Sequence, residues 1–182
     1  MTATQKGALT RVTVTEETRK RLLDEAAAWA DDLGSLRGSF EDGDGNTAGR
    51  YGELLFREVF GGSIADHYEY DLAYRGLHID VKTKRRTVDC QPHYEASVSD
   101  WNTEQSCDAY YFVSVQTGGS VEPYSRASLC GYLPPDEFYD RAGFFEKGEV
   151  NASNGFERPC DCYELPYHQL NQIDTAPDEV TI

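Results

Sequence analysis

The chain is short of lysine and has no long apolar run. Lysine stands at only five positions, Lys6, Lys20, Lys82, Lys84 and Lys147, against twelve arginines and 32 acidic residues. The longest apolar stretch, "YYFV" within "AYYFVSV", falls far below the roughly 20 residues that a membrane-spanning helix needs. The opening residues, "MTATQKGALTRV", lack the apolar segment of a signal peptide. These absences predict a soluble, cytoplasmic protein with no membrane partner. The five cysteines are odd in number and scattered, which excludes the disulfide framework of a small secreted domain. No phosphate-binding loop, dinucleotide fingerprint or nucleophile elbow occurs.

A net charge of −15 by itself argues against a nucleic-acid partner, because phosphate contacts come from Lys and Arg. The acidic excess is dispersed, however, and dispersed acidity with scarce lysine resembles proteins from salt-loving organisms. At molar salt the Debye length is about 3 Å, so overall repulsion is screened and only local charge counts. An ordinary acidic cytosolic protein is the alternative.

The length of 182 residues fits one domain. Thr13 and Glu16 have capping-box spacing, and Leu22, Ala26, Trp29, Ala30 and Leu33 recur at helical spacing before Gly34, which predicts a helix over 16–33. "GSFEDGDGNTAG" reads as a polar loop. Its "DGDGN" opens like a calcium loop but lacks the glutamate that an EF-hand requires. A second helix is expected over 48–60, with Tyr51, Leu54, Leu55 and Val59 on one side and Phe56 and Phe60 on the other, so that it packs on two sides. Glu53 on this helix is either paired with Arg57 or turned into a site.

The period then changes to two. "HYEYDLAY" and "LHIDVKTK" read as strands joined by the two-residue loop Arg75-Gly76, and "HYEASV", "AYYFVSV" and "LCGYL" as three more. "PPDEFYDR" begins a helix with Pro135 near its first position. A short strand and a closing turn follow, and 174–182 reads as a frayed acidic tail. The order of elements predicts an α/β (mixed α+β) domain, a central mixed sheet flanked by helices.

Four of the few basic residues crowd into positions 82–86 of "DLAYRGLHIDVKTKRR". With the loop at Arg75-Gly76, facing residues sum to 151, so Leu72 opposes Ile79 and Asp71 opposes Asp80. Alternation places Leu72, Tyr74, Ile79 and Val81 on a core face, and Asp71, His78, Asp80, Lys82 and Lys84 on the other. Two facing carboxylates repel unless a charge offsets them. A hard divalent cation does so, since Mg²⁺ and Mn²⁺ bind through one or two carboxylates, waters and substrate phosphate. Lys82 beside it could orient or deprotonate water or stabilise a pentacoordinate phosphate, while Lys84, Arg85 and Arg86 could hold the flanking backbone. The plainer alternative is a solvated hairpin face with Glu69 paired to Lys82.

Asp71, the triplet Asp80-Val81-Lys82 and the helical Glu53 together resemble the PD-(D/E)xK, or restriction-endonuclease-like, nuclease superfamily. The segments "CDAYYFVSV", "CGYLPPDEF", "FFEKGE" and "YELPYHQLNQI" look like the third strand, following helix and C-terminal segment of its small phage- and virus-type members. The likeness covers roughly 47–173, and Tyr70 stands where many members have proline. It implies a restriction-endonuclease-like domain over 1–173, with its core at 47–173, that cleaves DNA with Mg²⁺ or Mn²⁺. Glu53, Asp71 and Asp80 would then be metal-site carboxylates, Lys82 the catalytic base or charge stabiliser, and Lys84, Arg85 and Arg86 DNA contacts. It also implies a host-cell cytoplasm if the source is viral, and a homodimer where both strands are cut.

Other candidates are weaker. Cys160-Asp161-Cys162, with Cys90, His93, Cys107 and Cys130, could supply zinc ligands, but C-x-C is a poor match to structural zinc, and buried thiols are the alternative. The same spacings do not resemble a four-cysteine iron–sulfur site. His78 reads as a polar strand residue or a substrate contact, and Gln91 to Tyr94 as possible DNA contacts. A non-catalytic DNA-binding or virion-assembly protein on the same scaffold, or a metal-binding structural protein, are the other functional classes.

The charge pattern makes a prediction of its own. The thermal midpoint should rise between low and molar KCl as self-repulsion is screened. A midpoint that is flat or falls over that range would exclude the salt-adapted reading.

Overall fold

The computed structural model describes residues 8–33, 43–65, 69–102, 106–152, 154–174 and 176–182. Ten strands and three helices are described: β1 Thr10–Thr13, α1 Glu16–Leu33, α2 Gly43–Phe60, β2 Ser63–Ile64, β3 Leu72–Tyr74, β4 Leu77–Arg86, β5 Glu95–Ser99, β6 Ala109–Gln116, β7 Arg126–Leu133, α3 Pro135–Arg141, β8 Gly143–Phe145, β9 Cys162–Pro166 and β10 Glu179–Thr181. Seven strands form one mixed sheet in the order β10-β1-β7-β6-β4-β3-β2, and β5-β9-β8 form a second, smaller one. The fold is therefore a mixed α/β domain with a central mixed sheet flanked by helices.

Helix α1 covers the expected 16–33 span. Its cap differs, because Thr13 is used in β1 and the Thr15 hydroxyl instead accepts the amide of Thr18. Leu22 and Ala26 are fully buried, and the Leu33 side chain lies outside the described residues. Helix α2 starts earlier than expected, so Gly43–Asn46 are helical and do not form a calcium loop; Asp42 lies outside the described residues. Tyr51, Leu54, Leu55 and Phe56 of α2 are fully buried, as a helix packed on two sides requires.

The turn between β3 and β4 has positive φ at both Arg75 and Gly76, the geometry of a tight two-residue hairpin. Its ladder pairs Leu72 with Ile79, Ala73 with His78 and Tyr74 with Leu77, the register read from the sequence. His67 and Tyr68 of the expected first strand lie outside the described residues. On its other edge β4 pairs in parallel with β6 along its length from Ile79 to Arg86.

Every residue of β6 is buried, because the sheet is covered on both faces. Val81, Tyr111, Val113 and Val115 join the core under α1 and α2, whereas Tyr110, Phe112 and Phe138 join a second core with Ala96, Val98 and Leu165 of the small sheet. One extra residue in β7, Cys130, bulges opposite the Phe112–Val113 step. The C-terminal segment is not frayed. Glu179–Thr181 adds β10 in parallel to β1 at the edge of the sheet. The sequence signalled neither strand, since each is short and is completed by hydrogen bonds across the fold.

Helix α2 approaches β4 closely at Gly52. A Cβ there would lie 2.0 Å from Thr83 Oγ1 and 3.1 Å from Thr83 Cβ. Gly52→Ala should therefore destabilise the fold by about 1–3 kcal/mol, as overpacking does. Adding Thr83→Ala should recover part of that loss by removing Oγ1 and Cγ2. A thermal-melt double-mutant cycle with no coupling between the two positions would contradict this contact.

Candidate functional site

The site lies where β3 falls away from β4. The regular ladder stops at Leu72–Ile79, and the Asp71 amide donates to the Ile79 carbonyl. Asp71 is therefore not the direct cross-strand partner of Asp80 that a strict 151 register predicts. Instead its carboxylate Oδ2 accepts the Val81 amide at 2.7 Å, closing the edge of β4 that β3 leaves open. This offset spares two carboxylates the shortest cross-strand separation while keeping them neighbours.

Asp80 is buried, and the Lys82 ammonium stands 2.7 Å from its Oδ2. Lys82 is thus paired with Asp80, and it lies 5.5 Å above the Tyr110 ring. The face carrying Asp80, Lys82 and Lys84 is not a solvated surface, because α3 and the small sheet pack over it. A charge pair in such a place requires good geometry to offset its desolvation.

Glu53 approaches from α2. It does not pair with Arg57, which is bound to Glu25 and Glu58. It is buried and held at 2.7 Å by Arg50, whose guanidinium sits over Trp29 at 4.8 Å. Burial, followed by the charges of Glu53 and Asp80, pushes the Asp71 carboxyl well above the usual carboxylate range, and the Lys82 charge only partly opposes this. Asp71, Asp80 and Lys82, placed together by strand alternation, and Glu53, joined to them by the family resemblance, therefore share one electrostatic environment.

Three nearby residues carried no sequence signal. Burial and Asp80 push the Cys107 thiol up to about 12. The Tyr110 and Tyr139 hydroxyls are 3.0 Å apart, and Asp80 contributes to raising both phenols after burial. Alternating aromatic and apolar positions conceal such neighbours, because they read as core.

The carboxylates suit a hard divalent cation, since they offer oxygen only and carry more negative charge than Lys82 neutralises. Among the described residues no group of three or more His, Cys, Asp or Glu side chains is arranged to hold a metal by itself. With Glu53 engaged by Arg50, the residues that would hold Mg²⁺ are Asp71 and Asp80, with water and phosphate completing the set.

The basic run is split by strand alternation. Lys84 turns inward to Ser97 Oγ at 2.7 Å and lies 4.0 Å from Glu164. Arg86 donates to the Glu95 carbonyl and stacks on Tyr94 at 4.7 Å. Arg85 is exposed. Lys84 and Arg86 therefore also tie the small sheet to β4, a role that cationic spacing alone does not reveal.

His78 is exposed and stacks on Tyr70 at 4.0 Å. The thiols occupy separate surroundings. Cys90 and Cys130 are 3.9 Å apart, Cys160 lies 3.7 Å from Ser99 Oγ, and Cys162 is buried with Glu164 nearby. No helix among the described residues is long and apolar enough to cross a membrane. No family model matches the chain, and no curated protein matches it significantly.

The Asp71 environment is testable through stability. Because the folded-state pKa is raised, the group's contribution to stability is full below the ordinary carboxylate pKa and is lost as pH rises through the folded value. Asparagine preserves an acceptor for the Val81 amide without the charge. In EDTA, Asp71→Asn should melt above the parent at neutral pH, by roughly 2–4 °C per kcal/mol relieved, and the gap should close toward about pH 3, below the ordinary Asp pKa. A less stable variant at neutral pH would show that Asp71 is held as the anion.

Proposed function

We propose that this chain is a metal-dependent DNA nuclease of the PD-(D/E)xK type that hydrolyses phosphodiester bonds by water attack, as an endonuclease. The observation that carries this reading is the convergence of Asp71, Asp80, Glu53 and Lys82 at the open edge of β4, with Asp71 pushed up by burial and then by its acidic neighbours. The mixed sheet with α2 packed beside β4 is compatible with the restriction-endonuclease-like fold.

Bound Mg²⁺, or Mn²⁺ in its place, would polarise the phosphate and lower the pKa of a coordinated water. The protein's own residues would do the rest. Asp71 and Asp80 would hold the ion, with Asp71 oriented by the Val81 amide. Glu53, fixed by Arg50, would add negative field or accept a hydrogen bond from water. Lys82, held beside Asp80, would orient the attacking water or stabilise charge building on the phosphate. Arg85, exposed on β4, would face the backbone of DNA.

The absence of a three-ligand group among the described residues favours the second reading, a non-catalytic DNA-binding or virion-assembly protein on the same scaffold. Plasmid and oligonucleotide cleavage in Mg²⁺ or Mn²⁺, at several salt concentrations, separates the two. The parent should cut only with metal. Asp80→Asn should reduce cleavage below detection, and Lys82→Ala should slow it by about 10²–10⁴-fold, the range of a lost acid–base group. Lys82→Ala should still melt higher on adding Mg²⁺, whereas Asp71→Asn should not. An inactive parent, or full activity in Asp80→Asn, would overturn the nuclease reading.

A further inference from the structure

We infer that the open groove beginning one residue beyond Lys82 binds unpaired nucleotides, so that the preferred substrate is single-stranded DNA or a duplex with a single-stranded tail. This inference rests on the reading of Asp71, Asp80 and Lys82 as the cutting site, and it names what lies beside that site. The groove, about 790 Å³, follows the β4 edge from Thr83 to Val88. Its other walls come from the start of β5 and from Asn151, Asn154 and Phe156. Its size is that of a small-molecule cleft, large enough to admit a nucleotide.

The lining fits such a chain. Strand alternation turns the Thr83 and Arg85 amides toward the same edge as the Val81 amide that Asp71 caps. The Arg85 side chain is exposed at this edge, where it can meet phosphate. One wall presents His93 edge-on to Tyr94, whose ring lies under the Arg86 guanidinium, so that aromatic groups border the groove. The other presents Phe156, half exposed although large and apolar. Its position is fixed, since its carbonyl accepts the Asn151 amide and its amide donates to the Asn154 side chain. Glu164 also lines the groove, but it is bound by Arg158 and does not present a free negative charge. Cationic groups along a backbone track with aromatic faces beside it are the means by which proteins hold single strands without reading sequence.

The step from Lys82 to Lys84 covers about 6.6 Å at the rise of a strand. A strand whose phosphate sits at Lys82 therefore enters the groove directly with its neighbouring nucleotides. A paired segment would have to stop short of the groove, which places cutting near the junction of paired and unpaired DNA.

Fluorescence anisotropy of the full chain in EDTA tests this, at a salt concentration where circular dichroism shows it folded. The probes are a fluorescein-labelled 20-nucleotide oligo(dT) and a 20-base-pair duplex, with plasmid cleavage in Mg²⁺ measured in parallel. The single strand should bind at least tenfold more tightly than the duplex. Phe156→Ala should weaken it about five- to tenfold, at the lower end of a lost base–aromatic stack, with its melting temperature and duplex affinity unchanged. Arg85→Ala should weaken both probes and reduce the salt slope by about one. Equal affinity for the two probes, or single-strand affinity unaffected by Phe156→Ala and Arg85→Ala, would overturn the groove assignment even if the parent cuts plasmid. Single-strand binding that depends on Phe156 in a parent that cuts nothing would uphold the groove and sink the nuclease reading.

Discussion

Burial of the Asp80–Lys82 pair inside a strand covered on both faces is the constraint on which the rest of the arrangement depends. Two charges withdrawn from water are tolerated only with close pairing, and leaving either one alone is costly. β4 must therefore serve both as a core strand and as the carrier of the site. Its Ile79 and Val81 side chains anchor it to the helical layer, while Asp80 and Lys82 project into the layer closed by α3 and the small sheet. Asp71 closes the edge of the same strand with its carboxylate, and Glu53 reaches it from a helix that Gly52 allows to lie close. Asp80 and Lys82 lie within β4 and Glu53 within α2, whereas Asp71 stands one residue before β3 and is tied to β4 through the Ile79 carbonyl and the Val81 amide.

Charge is deployed on two scales. Acidic residues dominate the chain as a whole, whereas Lys82, Lys84, Arg85 and Arg86 are concentrated on one strand. Concentration does not make them equivalent. Period-two alternation divides them between opposite faces, so Lys84 and Arg86 hold Ser97, Glu95 and Tyr94 of the adjacent layer while Arg85 faces outward. The same cations thus fasten the small sheet and border the groove. Such sharing makes the groove a fixed feature of the fold, and it also means that removing Arg86 tests stability before it tests binding.

Features set by local periodicity were legible in the sequence. The span of α1, the two-residue turn at Arg75-Gly76, the Leu72–Ile79 register and the two-sided burial of α2 all follow from spacings of 3.6 or 2 and from turn chemistry. The gathering of Asp71, Asp80 and Lys82 followed from the same alternation. Glu53 joined them only by resemblance to a family motif, because a helix position carries no information about which strand it will meet.

What the sequence by itself determined were the elements whose hydrogen bonds and apolar faces are completed within a few residues. Tertiary structure alone decided the remainder. It paired β10 with β1, folded β5, β9 and β8 into a cover over the predicted open face, and gave Glu53 to Arg50 instead of Arg57. It also moved Asp71 off the direct register with Asp80 and turned Lys84 and Arg86 toward the small sheet. Each of these is a long-range choice among partners, made by which burial and which charge pairing the whole chain can satisfy together, and no local pattern of residues encodes that choice.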